Sequence, residues 1–372
     1  MNYQIDKYLN IIGYKIQLPD NKYDEINASY KAICAYIGNN NELAQDVDCS
    51  IYYQGSFAIG TVIKPLRGDD FDLDIVVEFD SSKREMTAGS FYRMFYKTFE
   101  NGKYKEMLNE FRNNVRLDYK SSNYHFDIMP SVPLSSNSNA LSVPDTKKRD
   151  WVVRSPKTYI EWFKNQTNKI PGYQMKVSDN RRFIMESVDE VKPLKEPAPY
   201  EITPTLIRAV QLLKRMKDVF FRDYKGEREP QSIVITTLAA NFYNGEYSVY
   251  DALKNIILKM KQKYDNNNRF EVRNPSYPSE VFTEKWSRYT EYYDNLKNFV
   301  YFLNNNIKRL EVQSGAAECF KTLFGDKTFN ELREETKLDS FWKDSSTNIE
   351  RDNVFPKEQV VIKKKERGNA WR

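Results

Sequence analysis

The run Asp70-Phe71-Asp72-Leu73-Asp74-Ile75-Val76-Val77-Glu78-Phe79 constrains this chain more than any other stretch of its 372 residues. Side chains alternate along a strand, so Phe71, Leu73, Ile75, Val77 and Phe79 fall on one apolar face and Asp72 and Asp74 on the other. Their Cα atoms then stand roughly 6.7 Å apart, at about 3.3 Å of rise per residue. Two like charges on one face repel unless a cation or solvent lies between them. An isolated Asp-x-Asp is most often the solvated side of an edge strand, so the flanking sequence has to decide between that reading and a cation site.

Upstream stands Gln54-Gly55-Ser56-Phe57-Ala58-Ile59-Gly60-Thr61, a strand end followed by a glycine-containing turn. Such a turn lets backbone N–H groups and the Ser56 hydroxyl approach phosphate oxygens, although Gly-Ser alone is ordinary turn sequence. Downstream, Tyr124-His125-Phe126-Asp127-Ile128-Met129 alternates again, with Phe126 and Ile128 facing a core and His125 and Asp127 facing away. The ordered set of Gly-Ser, Asp72 and Asp74, then Asp127 on another strand is what two-metal phosphoryl transfer requires. Mg²⁺ takes oxygen ligands and needs few from the protein, because triphosphate oxygens and water complete its shell. With a pair of ions, one activates an attacking hydroxyl while the other neutralises the departing pyrophosphate. Asp72 and Asp74 are expected to hold or bridge both Mg²⁺ ions, with Mn²⁺ a possible substitute. Asp127 is expected to complete the ion nearest the acceptor hydroxyl and to orient that hydroxyl or take its proton.

Composition excludes several other chemistries. His125 is the single histidine, which rules out a multi-histidine metal site and argues against a Ser-His-Asp triad. Cys34, Cys49 and Cys319 lie far apart and show neither disulfide-framework nor zinc spacing. A net charge of +5, from 57 basic and 52 acidic residues, does not require a nucleic-acid partner. With no secretory pattern at Met1–Asp6 and no long apolar run, the expectation is a soluble, cytoplasmic protein without a membrane partner.

Three regions are expected: a catalytic lobe with an N-terminal helix over residues 1–150, a helical lobe over 151–350 that completes the cleft, and a mobile basic tail over 351–372. Residues 3–50 read as helical, with Ile26, Tyr30, Ile33, Cys34 and Ile37 at three- and four-residue steps. Strands follow at Ile51–Tyr53 and Thr61–Ile63, with a loop at Arg67-Gly68-Asp69. A helix is expected from Phe91 to Phe111, then strands at Val115–Tyr119 and His125–Met129. Pro130 to Asp150 reads as a loop and Asp189 to Pro204 as a proline-marked crossover. Thr203 can cap a helix with Pro204 at its first position, and Leu206, Val210, Leu213, Met216 and Phe220 form its stripe. Ile233–Tyr243, Tyr250–Tyr264 and Phe282–Leu310 also read as helices.

The motifs around Gly55-Ser56, Lys64-Pro65, Asp72/Asp74 and Phe126-Asp127-Ile128-Met129-Pro130 resemble the polymerase-β-like nucleotidyltransferases. The likeness is stronger to the bacterial CD-NTases, which are related to cyclic GMP-AMP synthase and oligoadenylate synthase. It continues through Leu212-Leu213-Lys214-Arg215, Ser232-Ile233-Val234-Ile235, Asn274-Pro275 and Glu280-Val281-Phe282. The resemblance implies an α+β fold, in which a nucleotidyltransferase lobe with a mixed sheet packs on a mainly α-helical C-terminal lobe. It also implies that Lys214 and Ser232 grip the donor triphosphate beside Gly55 and Ser56, with Arg215 or Lys217 as alternatives if the helix is rotated. The implied activity is template-independent condensation of ribonucleoside triphosphates into a cyclic di- or trinucleotide second messenger, in CBASS-type antiphage defence with effector or accessory proteins as partners. Nucleic acid is not required. A linear oligonucleotide synthase, a terminal transferase acting on RNA, and a non-catalytic sensor on the same fold are the competing readings.

Overall fold

The computed structural model describes residues 2–44, 49–66, 70–135, 138–169, 203–222, 228–266, 269–312 and 315–336. The chain begins with two helices, α1 (Asn2–Lys15) and α2 (Asp20–Asn40), rather than one long one. Pro19 separates them, since it lacks an N–H and disfavours helical backbone at the residue before it. Next come β1 (Cys49–Tyr53), the short α3 (Gly55–Ala58) and β2 (Phe71–Phe79). Helix α4 (Ala88–Glu100) is capped by the Thr87 side chain, which accepts from Ser90 N–H. It stops well before Phe111, because Gly102 turns the chain into the left-handed region at φ +110°.

Strands β3 (Leu108–Glu110), β4 (Val115–Tyr119), β5 (Tyr124–Pro133), β6 (Leu141–Asp145) and β7 (Asp150–Arg154) complete one sheet. Its order is β1-β2-β5-β4-β3, with β6 on β5 and β7 on β6. The sheet is mixed: β2 and β5 run parallel, and the remaining pairs are antiparallel. The expected loop from Pro130 to Asp150 is instead the end of β5 and the strand β6. Leu141 and Val143 are buried against Val76 and Met129, and that burial outweighs the N–H donors missing at the prolines.

One face of β2 carries Leu73, Ile75, Val77 and Phe79 into a core closed by α2 and α4 through Ile26, Tyr30, Ile33, Phe91, Phe95 and Phe99. The second core is helical. It is built from α5 (Pro156–Thr167), α6 (Thr205–Phe221), α7 (Ser232–Phe242) and α8 (Val249–Asp265). The hairpin β8 (Arg273–Asn274) and β9 (Tyr277–Val281) follows, then α9 (Glu291–Ile307), α10 (Ala316–Phe324) and α11 (Asp326–Glu335). The stretch expected as one helix from Phe282 to Leu310 opens instead with a turn and a short 3-10 segment at Glu284–Trp286, and its helix starts only at Glu291. Helix α6 starts at Thr205, with Pro204 as its cap, while Thr203 accepts from Arg208 Nη2 at 3.1 Å.

Helix α1, assigned by sequence to the catalytic lobe, buries Ile5, Tyr8, Leu9 and Ile12 in the helical core. Asp6 Oδ1 accepts from Ser248 Oγ at 2.9 Å and from Tyr250 N–H at 3.0 Å at the start of α8, and Lys15 pairs with Glu335 of α11 at 2.5 Å. Thr61–Ile63, expected as a strand, is a loop that joins no sheet. Carbonyls of this loop are taken by α6 side chains: Gln211 donates to Gly60, Lys214 to Thr61 and Arg215 to Lys64. Arg67-Gly68-Asp69, most of the 189–204 crossover and the 351–372 tail lie outside the described residues. Among the described residues no helix is long and apolar enough to cross a membrane.

Candidate active site

Strand register assembles the acids. Parallel pairing sets Asp74 beside Asp127 and Asp72 beside His125, and antiparallel pairing sets Asp127 beside Arg116 on β4. Arg116 grips Asp127 in a two-pronged contact, with Nε to Oδ1 and Nη2 to Oδ2 both at 2.7 Å. His125 Nε2 lies 2.6 Å from Asp72 Oδ1. Asp72, His125 and Asp127 each offer a ligand atom, all within 4.8 Å of one another, a spacing that suits a metal ion. Asp74 stands outside that triplet, beneath the turn that follows β1.

The turn needs its glycine. Gly55 sits at φ +62°, and a Cβ built there would fall 2.0 Å from Asp74 Oδ2. The turn is tied to β2 by Gln54 N–H donating to the Asp74 carbonyl at 2.8 Å, and it is closed by Thr61 N–H on the Ser56 carbonyl at 2.9 Å. No side chain could pass between this backbone and the Asp74 carboxylate.

A cavity of about 430 Å³ opens between the two cores. From the sheet side it is lined by Gly55, Ser56, Asp72 and Asp74, and from the helical side by Lys214, Ser232 and Thr236. Six of the seven residues singled out from sequence therefore share one cavity, and Asp127 joins them through its register with Asp74. Arg215 and Lys217 do not line it. Arg215 is buried on the Lys64 carbonyl, and Lys217 lies 3.6 Å from Asp218 and 3.4 Å from Glu229. The β8–β9 hairpin closes the far wall with Asn274 and Glu280. Glu280 accepts from Ser155 N–H at 3.1 Å and Asn274 Nδ2 at 2.9 Å, which clamps the hairpin to the start of α5.

Residues 4–168 match the domain described as Second Messenger Oligonucleotide or Dinucleotide Synthetase. A c-di-GMP synthase of Roseivirga ehrenbergii is 28% identical over 345 residues, spanning 90% of this chain and 88% of that protein. Together these matches support a CD-NTase assignment. The fold of the chain is that of a Bradyrhizobium diazoefficiens CD-NTase, CdnG, solved in complex with GTP: TM-score 0.72 at 20% identity, over 90% of this chain and 99% of that one. An E. coli CdnC, solved in a complex with HORMA, matches at TM-score 0.60 and 13% identity over 86% and 96% of the two chains.

Charge is distributed unevenly over the acids of the site. Burial, reinforced by the charges of Asp72 and Asp127, pushes the Asp74 carboxyl up to about 7. Burial acts on Asp72 in the same direction, but His125, Arg116 and Lys214 outweigh it and hold that carboxyl below the usual range. His125 is raised in turn: burial lowers it, and Asp72 more than compensates. Lys214 donates to the Thr61 carbonyl at 3.0 Å, and burial drops its ammonium to about 8. Sequence reasoning missed Arg116 and the His125–Asp72 contact. The alternation Val115-Arg116-Leu117-Asp118 marks Arg116 as polar-facing, but only the pairing of β4 with β5 shows what it faces.

Proposed function

We propose that this chain condenses ribonucleoside triphosphates, without a template, into a cyclic di- or trinucleotide signal by two-Mg²⁺ catalysis on Asp72, Asp74 and Asp127. The observation that carries this reading is the register of Asp74 with Asp127 beneath the Gly55 turn, facing a cavity that also reaches Lys214 and Ser232. The residues fit a divalent cation. Asp74 keeps its proton up to about pH 7 under burial and like charge, a cost that a cation in the site removes. The CdnG solved with GTP and the relative named a c-di-GMP synthase support a nucleotide substrate and make GTP the first to test.

When bound, the ions supply a lowered pKa at the acceptor hydroxyl and charge neutralisation at the triphosphate. The chain's own residues do the rest. The Gly55 backbone and the Ser56 hydroxyl lie against the donor phosphates, and Lys214 exchanges the Thr61 carbonyl for a phosphate oxygen, a stronger charge-assisted bond. Ser232 offers a hydroxyl to the same triphosphate. Asp127, fixed in plane by Arg116, orients the acceptor hydroxyl and takes its proton as the hydroxyl oxygen bonds to the α-phosphorus and pyrophosphate departs. The linear product still carries a triphosphate, and it turns so that this group occupies the Lys214/Ser232 side while the same acids close the ring.

A role in CBASS-type antiphage signalling, with an effector or accessory protein downstream, follows from the family, and the CdnC solved with HORMA supports an accessory partner. The test is incubation with all four ribonucleoside triphosphates and Mg²⁺, then phosphatase digestion and mass analysis. A phosphatase-resistant product without free ends is expected. Extension of a supplied linear intermediate into a ladder, with no closure, would make the chain a linear synthase instead.

A further inference from the structure

Arg116 reaches the acid cluster by strand register rather than by a flexible arm. Its backbone on β4 is the direct partner of Asp127 on β5, and both ends of its guanidinium fork engage that carboxylate at 2.7 Å. Nη2 also lies 4.0 Å from Asp72 Oδ1. The Phe111 ring backs the guanidinium, with its centroid 4.3 Å from the central carbon. The Arg116 side chain is 23% exposed and that of Asp127 is 12% exposed, so this is not a solvated surface bridge. A carboxylate held this way keeps one free lone pair on each oxygen and has its plane fixed.

We propose that Arg116 is a resident counter-cation of the acid cluster, a positioning residue whose charge sets how tightly the acids take a divalent ion and whose fork sets the plane of Asp127. The inference rests on the reading of Asp72, Asp74 and Asp127 as metal-holding. The two effects oppose one another: the positive charge weakens cation binding, while the fork makes the bound arrangement productive. A residue that merely paired strands would not tighten metal binding when its charge is removed.

The test is Mn²⁺ titration of the full chain without nucleotide, by calorimetry or by the resonance signal of free Mn²⁺, on wild type, Arg116→Gln, Arg116→Lys and Phe111→Ala. Arg116→Gln is expected to bind Mn²⁺ about tenfold tighter or more, since one nearby positive charge is gone. Its kcat with a mixture of ribonucleoside triphosphates should fall about a hundredfold, at little change in KM, because Asp127 is no longer held in place. Arg116→Lys should keep near-wild-type Mn²⁺ affinity yet share the loss in kcat, because an ammonium has no fork. Phe111 is 40% exposed, so its truncation opens no core, and Phe111→Ala, which keeps the charge but removes the backing of the fork, should lower kcat partway toward Arg116→Gln at near-wild-type Mn²⁺ affinity. Unchanged or weaker Mn²⁺ binding by Arg116→Gln, or wild-type kcat in Arg116→Lys, overturns the inference. If Arg116→Gln does not fold, Arg116→Lys and Phe111→Ala decide. Should wild type itself take no Mn²⁺ that Asp72→Asn abolishes, the metal reading fails and this inference falls with it, an outcome visible before any Arg116 variant is made.

Discussion

Gly55→Ala isolates the geometry of the turn from the chemistry of the acids. The new Cβ would stand 2.0 Å from Asp74 Oδ2, where ordinary contact begins at 3.4 Å, so the carboxylate or the turn must give way by about 1.4 Å. The backbone angle of φ +62° adds about 1–2 kcal/mol for any residue with a Cβ. Against a typical stability of about 5–15 kcal/mol the fold survives, with a melting point lower by a few degrees. The active arrangement does not survive. Metal–oxygen distances tolerate only about 0.2 Å, and misplacement of a reacting group by about 1 Å costs on the order of a hundredfold in rate. Pyrophosphate release is therefore expected to drop about a hundredfold or more, with the circular dichroism spectrum unchanged. A folded Gly55→Ala protein with near-wild-type kcat would show that the close approach of the turn to Asp74 has no part in catalysis.

Asp72→Asn with Asp74→Asn should abolish product, while the melting temperature in metal-free buffer stays level or rises, because a repulsive and partly buried pair is relieved; near-wild-type product formation would end the two-metal assignment. Lys214→Ala should raise the KM for triphosphate about tenfold to a hundredfold, the worth of one charge-assisted hydrogen bond, and should depress condensation and ring closure alike. An effect on only one of the two steps would show that they do not share a donor site. Divalent-ion affinity should fall as pH drops below about 7. Asp74 holds a proton up to about pH 7, and an ion must displace it, so affinity declines by about tenfold per unit below that point and levels off above it. Calorimetry in buffers of different ionisation heat should show proton release near neutrality, and affinity that is flat across that range would refute the Asp74 assignment.

The acids were legible because a half-buried strand writes its period into the sequence: Leu73, Ile75 and Val77 are buried between the aspartates and the end of β2. What the acids touch was not legible. Arg116 and His125 meet Asp127 and Asp72 through pairing partners more than ten and fifty residues away, respectively, and a single strand pattern carries no record of its register. Leu141 and Val143 were hidden by the prolines around them, since turn-forming residues mask a strand whose stability comes from apolar burial. Thr61–Ile63 failed in the opposite way. Its composition suits a strand, but Lys214 and Gln211 occupy the Thr61 and Val62 carbonyls, and Gln211 and Arg215 those of the flanking Gly60 and Lys64, which leaves no ladder to form.

The placement of α1 has a consequence for how the chain is made. The core beneath the sheet draws its fully buried residues from 18–132, one continuous stretch, and is finished by Trp151 and Ile160 soon after. Helix α1 ends at Lys15, whereas α6, the first long helix of its own core, begins at Thr205, 190 positions later. At about 5–20 residues per second a ribosome needs roughly 10–40 s to cover that distance. During that interval the sheet core can close while Ile5, Tyr8, Leu9 and Ile12 of α1 still lack their cover. The helix that leaves the ribosome ahead of the others thus docks among the last. A bulky fusion placed before it is expected to act first on the start of α8, where Asp6 accepts from Ser248 and Tyr250, rather than on the acids of the sheet.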